Sequence, residues 1–201
     1  MTAGTGWDVR EARDRANSPT RHRLLRAAEA AFTAKGYGAV TVADVTEGAG
    51  VSRATFYVYF ATKADVFRAL AEDVRDQLCQ AQDVPDDGRA FAVWRAATEA
   101  YLRAWTSRIG LLRVMAHQAI DDPEIRMLFE SVRAVPTRRH EHFVERLERD
   151  GIARPRTSAA LTAHAVQGSV ERYAELVADG QLDHEEAATA LAALYEGMLR
   201  F

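Results

Sequence analysis

Cysteine occurs once in these 201 residues, at Cys79, so no intrachain disulfide can form and the chain fits a reducing cytoplasm. Lysine is scarce as well: Lys35 and Lys63 are the only two, and the rest of the 26 basic residues are arginine. No apolar run approaches the roughly 20 residues that a bilayer span requires, and the polar N-terminus has no apolar signal-peptide core. A membrane partner is therefore not expected. Internal repeats, low-complexity tracts and alternating strand patterns longer than a few residues are also missing, which leaves an all-α chain. The chemistry of catalysis is missing in its turn. No serine sits in a nucleophile elbow, and no glycine-rich loop follows a strand. Zinc hydrolases need histidines at i and i+4 on one helical face, and no pair here has that spacing. His140-Glu141-His142 does not replace it, because neighbouring residues on a helix point about 100° apart. That tripeptide reads as solvated helix surface. No catalytic residue, metal site or cofactor is expected.

What the chain does have is helical periodicity nearly throughout, and 201 residues are enough to bury a sizeable core in one or two domains. The net charge of −3 is unevenly divided. Residues 1–65 carry 9 basic against 7 acidic side chains, and the remainder 17 against 22. Positive charge is biased toward the N-terminal third, and the acidic remainder argues against a general nucleic-acid coat.

Residues 41–63, TVADVTEGAGVSRATFYVYFATK, concentrate the most information. Thr41 can N-cap a helix, with Asp44 completing a capping-box pattern, and Val42, Val45 and Ala49 give that helix an apolar side. Gly50 supplies the permissive backbone of a sharp turn, and Ser52 caps the next helix. Phe56 and Phe60 face a core, which leaves Arg53, Thr55, Tyr57 and Tyr59 outward. A short helix that shows water a guanidinium, a hydroxyl and phenols is suited to a DNA major groove, where it reads base edges and grips phosphates. Upstream, Leu24, Ala28 and Phe32 describe a helix opened by Ser18-Pro19. Downstream, Thr62 caps a helix lined by Phe67, Leu70, Val74 and Leu78.

Residues 21–70, from RHRLLRAAEAAFTAKGYGAVTV through AGVSRATFYVYFATKADVF, resemble the N-terminal domain of TetR-family transcriptional regulators. The resemblance runs without gaps over about a quarter of the chain. It implies a three-helix, helix-turn-helix DNA-binding domain followed by a larger helical domain for effector binding and dimerisation. It also implies that Thr41 holds a phosphate and that Ser52, Arg53 and Thr55 contact phosphates or base edges. Tyr57 and Tyr59 would grip the backbone or pack on a thymine methyl, and Lys63 would bind a phosphate. The expected organisation is an arm over 1–17, the DNA-binding domain over 18–65 and the helical domain over 66–201.

The C-terminal part reads as helices over 89–107, a shorter one marked by Leu111, Val114, Met115 and Gln118 and ending at Asp121-Asp122-Pro123, then 124–149 (kinked or broken at Pro136), 157–179 and 184–199. Trp94, Tyr101 and Trp105 form an aromatic stripe, joined by Phe129, Phe143 and Tyr173. With Met115 and His117 they are the expected lining of a mostly apolar cavity carrying a few hydrogen-bonding groups, although packing of a plain helical core accounts for each ring singly. Leu161, Ala165, Gly168, Leu191, Leu194, Tyr195 and Met198 are the expected faces of a four-helix dimer interface. The resulting expectation is a cytoplasmic, homodimeric one-component regulator. It would be a repressor bound to a near-palindromic double-stranded operator and released by a small effector. A helical enzyme using the C-terminal pocket, and a DNA-binding scaffold without an effector, are the alternatives.

Overall fold

The computed structural model describes residues 18–83 and 90–200. The arm expected over 1–17 and most of the turn cluster after Gln82 lie outside the described residues. The described part divides between Ala71 and Glu72 into two compact units, a boundary six residues beyond the expected one.

The first unit holds α1 (Pro19–Lys35), α2 (Val42–Ala49), α3 (Arg53–Tyr59) and the start of α4 (Lys63–Gln80). Each begins on a side-chain cap. Ser18 Oγ accepts from the Arg21 amide, Ser52 Oγ from Thr55, and Thr62 Oγ1 from Asp65. At α2 the capping box is complete: Thr41 Oγ1 accepts from the Asp44 amide, and Asp44 Oδ2 accepts from the Thr41 amide at 2.8 Å. Each such cap contributes about 1 kcal/mol. Gly50 adopts φ 62° and ψ 41°, and the Val51 amide returns to the Thr46 carbonyl at 3.0 Å. This left-handed closure turns the chain from α2 into α3 within three residues. The core is aromatic. Phe32 lies edge-on to Phe67 at 5.1 Å between ring centroids, and Tyr37 packs against both. α2 passes close to α1 at Gly48, where a Cβ would stand 3.3 Å from that of Ala27.

The second unit holds the end of α4, then α5 (Ala90–Ser107), α6 (Ile109–Gln118), α7 (Pro123–Arg149), α8 (Ala159–Ala178) and α9 (His184–Met198). α8 is central and packs against α5, α6, α7 and α9. Its small buried residues Ala159, Ala163 and Ala174 let those neighbours approach. Asp122, Ser158 and Asp183 cap α7, α8 and α9.

One expectation is narrowed. Pro136 does not break α7, which runs through it. The carbonyl of Pro136 accepts from Gln82 Nε2, and the Thr137 hydroxyl donates to the Arg133 carbonyl, so polar side chains brace the turn that proline weakens. The chain also carries one short ladder, β1 (Arg154–Pro155) with β2 (Leu199–Arg200), antiparallel and two residues long. Two residues are too few for an alternation to show in the sequence.

Candidate functional site

In the first unit α3 presents one polar and one buried side. Phe56 is fully buried and Phe60 nearly so. Arg53 and Ala54 are exposed, and Tyr57 and Val58 are 56% and 59% exposed, so these four make one outward stripe at i, i+1, i+4 and i+5. Thr55 is half-buried, its hydroxyl 2.9 Å from that of Ser52. Ala54 and Val58 were missed in the sequence reading, because an apolar residue in a short helix reads as core unless its angle is followed.

Tyr59 is half-buried rather than outward. Its oxygen accepts from Ser18 Oγ at 2.9 Å, which ties the end of α3 to the cap of α1 and leaves the phenol proton to donate. Thr41 is spoken for more fully. Its hydroxyl donates to Asp44 Oδ2 at 2.6 Å, while Lys35 Nζ meets Asp44 Oδ1 at 2.6 Å. The Lys35 ammonium, with the Thr41 donors, holds the Asp44 carboxyl well below the usual carboxylate range. Lys63 Nζ donates to the Tyr37 carbonyl at 2.8 Å and to that of Gly38 at 3.4 Å, and it sits 4.5 Å from the Tyr37 ring centre. An ammonium has three donors, so one remains.

The second unit contains a cavity of about 360 Å³ between the turn after α4 (Gln82 and Asp83), α5, α7 and α8. Trp94, Tyr101 and Phe143 line it, as the sequence reading expected. Trp105, Met115, His117 and Tyr173 do not. Trp105 is 3% exposed and Met115 fully buried, so both are packing. His117 is exposed on α6, and Tyr173 is half-buried on α8 away from the cavity. Helical spacing puts Trp94, Tyr101 and Trp105 on one stripe of α5 but could not say how far along it the cavity reaches.

The solvated-surface expectation for His140-Glu141-His142 holds at His142, which is exposed, and fails at His140, because α7 is covered on more than one side. His140 is half-buried and accepts from Trp94 Nε1 at 3.3 Å through Nε2, so its proton sits on Nδ1. Burial pushes its pKa down to about 4, and the ring stays neutral. Trp94 stacks in turn on Tyr195 with centroids 3.6 Å apart and planes within 2°. Deeper in the cavity the Tyr101 hydroxyl donates to Gln167 Oε1 at 2.7 Å, and Gln167 Nε2 donates to Glu171.

Tyr195 is therefore core, as is Leu191, which is 2% exposed; neither can face a second copy. Met198 is half-buried. Leu161, Ala165, Gly168 and Leu194 are exposed and share the outside of α8 and α9 with Ala193 and Gly197. The Tyr195 hydroxyl is buried without a partner among the described residues. Leaving such a group unpaired costs about 1–3 kcal/mol. Tyr195→Phe is accordingly expected to raise the denaturant midpoint at an unchanged slope; a lower midpoint would show that the hydroxyl is satisfied.

Among the described residues no cluster of three metal-ligating side chains occurs, and no helix is long and apolar enough to cross a membrane. The family model described as bacterial regulatory proteins, tetR family, matches residues 24–70. The HTH-type transcriptional regulator TtgR of Pseudomonas putida is 27% identical over 199 residues, covering 96% of this chain and 83% of that protein. The probable HTH-type transcriptional regulator ArpR, also of Pseudomonas putida, is 27% identical over 198 residues, covering 95% and 83%. Among solved structures, Salmonella enterica GusR superposes with a TM-score of 0.75 at 17% identity, over 89% of this chain and 94% of that one. The structural likeness speaks for the fold, and both sequence relatives are named as HTH-type transcriptional regulators, ArpR as a probable one.

Proposed function

The chain belongs to the TetR family of DNA-binding transcriptional regulators, and from that premise we propose that it acts in the cytoplasm as a homodimeric repressor, released from a near-palindromic operator by a small, mostly apolar effector. The observation that carries the reading is the outer stripe of α3, which no packing requirement explains. Arg53 supplies the bidentate donor that guanine recognition uses, and Ala54, Tyr57 and Val58 offer apolar surface to thymine methyls. Ser52 and Thr55 reach phosphates or base edges. Tyr59 keeps a phenol proton, and Lys63 a third ammonium proton, for the phosphate backbone. Thr41 acts chiefly through its cap, since a phosphate contact requires its hydroxyl proton to leave Asp44.

One short reading helix covers only a few base pairs, so two copies related by a two-fold axis are needed for useful specificity. The exposed small-residue face of α8 and α9 is the proposed pairing surface. The cavity beside Trp94 is the proposed effector site. An effector there lowers operator affinity only by binding the DNA-free state more tightly, and tenfold release needs about 1.4 kcal/mol of such preference. The relatives are named as regulators, and a catalytic role is not part of this proposal.

Gel-shift titration of Arg53→Ala and Tyr57→Ala tests the interface. Loss of a bidentate base contact costs about 1–3 kcal/mol, roughly tenfold or more at each half-site, and circular dichroism should be unchanged because both side chains are exposed. Undiminished affinity in both variants would remove α3 from the base-reading role.

A further inference from the structure

We propose that the cavity takes an amphipathic organic anion, its apolar body lying over Trp94 and its carboxylate, or a comparable oxyanion head, held at Arg139. This deepens the effector reading and rests on it. Arg139, His142 and Arg146 recur at i, i+3 and i+7 of α7, so one stripe of that helix carries all three along the cavity, and all three are exposed to solvent. The acidic side chain among the lining residues is Asp83. Among the described lining residues the formal charges are those of Arg139, Arg146 and Asp83, a net positive count. A cationic ligand would meet like charge there, and a wholly apolar one would cover guanidiniums without replacing their water. Behind the rim the lining turns apolar, with Val93, Trp94, Ala97, Phe143, Val166 and Val170. A head of negative charge on an apolar body matches both halves.

Arg139 is the specific anchor. Its guanidinium donates to the Cys79 carbonyl at 3.0 Å and to the Asp83 carboxylate. Asp83 thus occupies the position that a ligand carboxylate would take on a fork built for two parallel bonds. It is largely exposed, and an exposed ion pair of this kind is worth little, so a ligand held also by apolar contact can displace it. Gln82, next to it, lines the cavity with an Oε1 that is buried and unpartnered among the described residues. A hydroxyl on the ligand body would satisfy that acceptor.

The test uses the full chain and matched pairs of probes: 2-naphthoate, 6-hydroxy-2-naphthoate and decanoate, each against its own carboxamide, by calorimetric titration. At least one carboxylate is expected to bind tenfold or more tighter than its amide. Arg139→Gln should abolish that preference while leaving amide affinity unchanged. Asp83→Asn, which removes the internal competitor, should tighten the carboxylate several-fold and leave the amide alone. A merely structural ion pair would instead make both variants move acid and amide together. That result, or amides binding as well as their acids, overturns the proposal while the cavity stands as an effector site. If no acid and no amide binds, the anion proposal and the effector reading fall together. Should Arg139→Gln fail to fold by circular dichroism, the opposite-signed Asp83→Asn shift decides the matter alone.

Discussion

Truncating Trp105 to alanine should lower the unfolding free energy by about 3–5 kcal/mol, the usual cost of deleting a buried indole, and should leave the response to any cavity ligand unchanged. The indole is 3% exposed on α5, its ring 6.0 Å from that of Tyr101, and it is not among the residues that line the cavity. Removing it opens a hole in packed side chains, which relax only partly, so both the transfer free energy and the void count against the fold. Trp94, eleven residues earlier on the same helix, sits differently. It is equally buried, yet it borders the cavity and is fixed by His140 and Tyr195. Truncating Trp94 should therefore change ligand selectivity as well as stability. Chemical denaturation followed by circular dichroism gives the stability of each variant, and titration with the naphthoate probes gives its selectivity. A Trp105→Ala protein within about 1 kcal/mol of the parent, or one with altered selectivity, would place the cavity further along α5 than its lining indicates.

That contrast marks how far the sequence could be read. The starts of α1 to α4 were legible from their caps, since Ser18, Thr41, Ser52 and Thr62 each carry that chemistry in the local sequence, whereas α6 opens at Arg108 without a side-chain cap. The outward face of α3 was legible for the same reason: Phe56 and Phe60 fix its angle, and Arg53 and Tyr57 must then point away. What the sequence hides is contact between distant helices. Nothing local to His140 says that an indole 46 residues earlier will donate to it, and nothing local to Tyr195 says that its ring will lie on Trp94. An apolar residue on a helix with two covered sides can face its own core or a second copy, and periodicity assigns both to the same stripe. Leu191 and Tyr195 went to the core and Leu194 to the surface for that reason. The charged rim of the cavity was missed for a related one: Arg139, His142 and Arg146 look like ordinary solvated helix until α4, α5 and α8 are set around them.

Gly168→Trp carries the largest expected effect on function, because it attacks the proposed pairing surface and nothing else. A Cβ at Gly168 would meet no atom within 4 Å in the protomer, and the residue is exposed on α8. Glycine in a helix interior costs about 0.5–1 kcal/mol relative to alanine, so a larger residue there does not weaken the helix itself. Its neighbours on the same face are Leu161, 61% exposed, and Ala165, with Ala193, Leu194 and Gly197 across on α9. In a two-fold interface each such position meets its own copy or a near neighbour, so one indole per chain becomes two in the contact. Helices packed through small residues lie about 8–10 Å apart, too close for both rings. The variant should sediment as a monomer with an unchanged helix content. Its operator affinity should fall about a hundredfold or more, toward the nonspecific level, because specific complexes gain at least that much over nonspecific ones, and a lone reading head forgoes half of the contacts. Ala193→Trp on α9 should act in the same way. A Gly168→Trp protein that remains dimeric and binds the operator normally would move the pairing surface off α8, and would leave Leu161 and Leu194 exposed for some other reason.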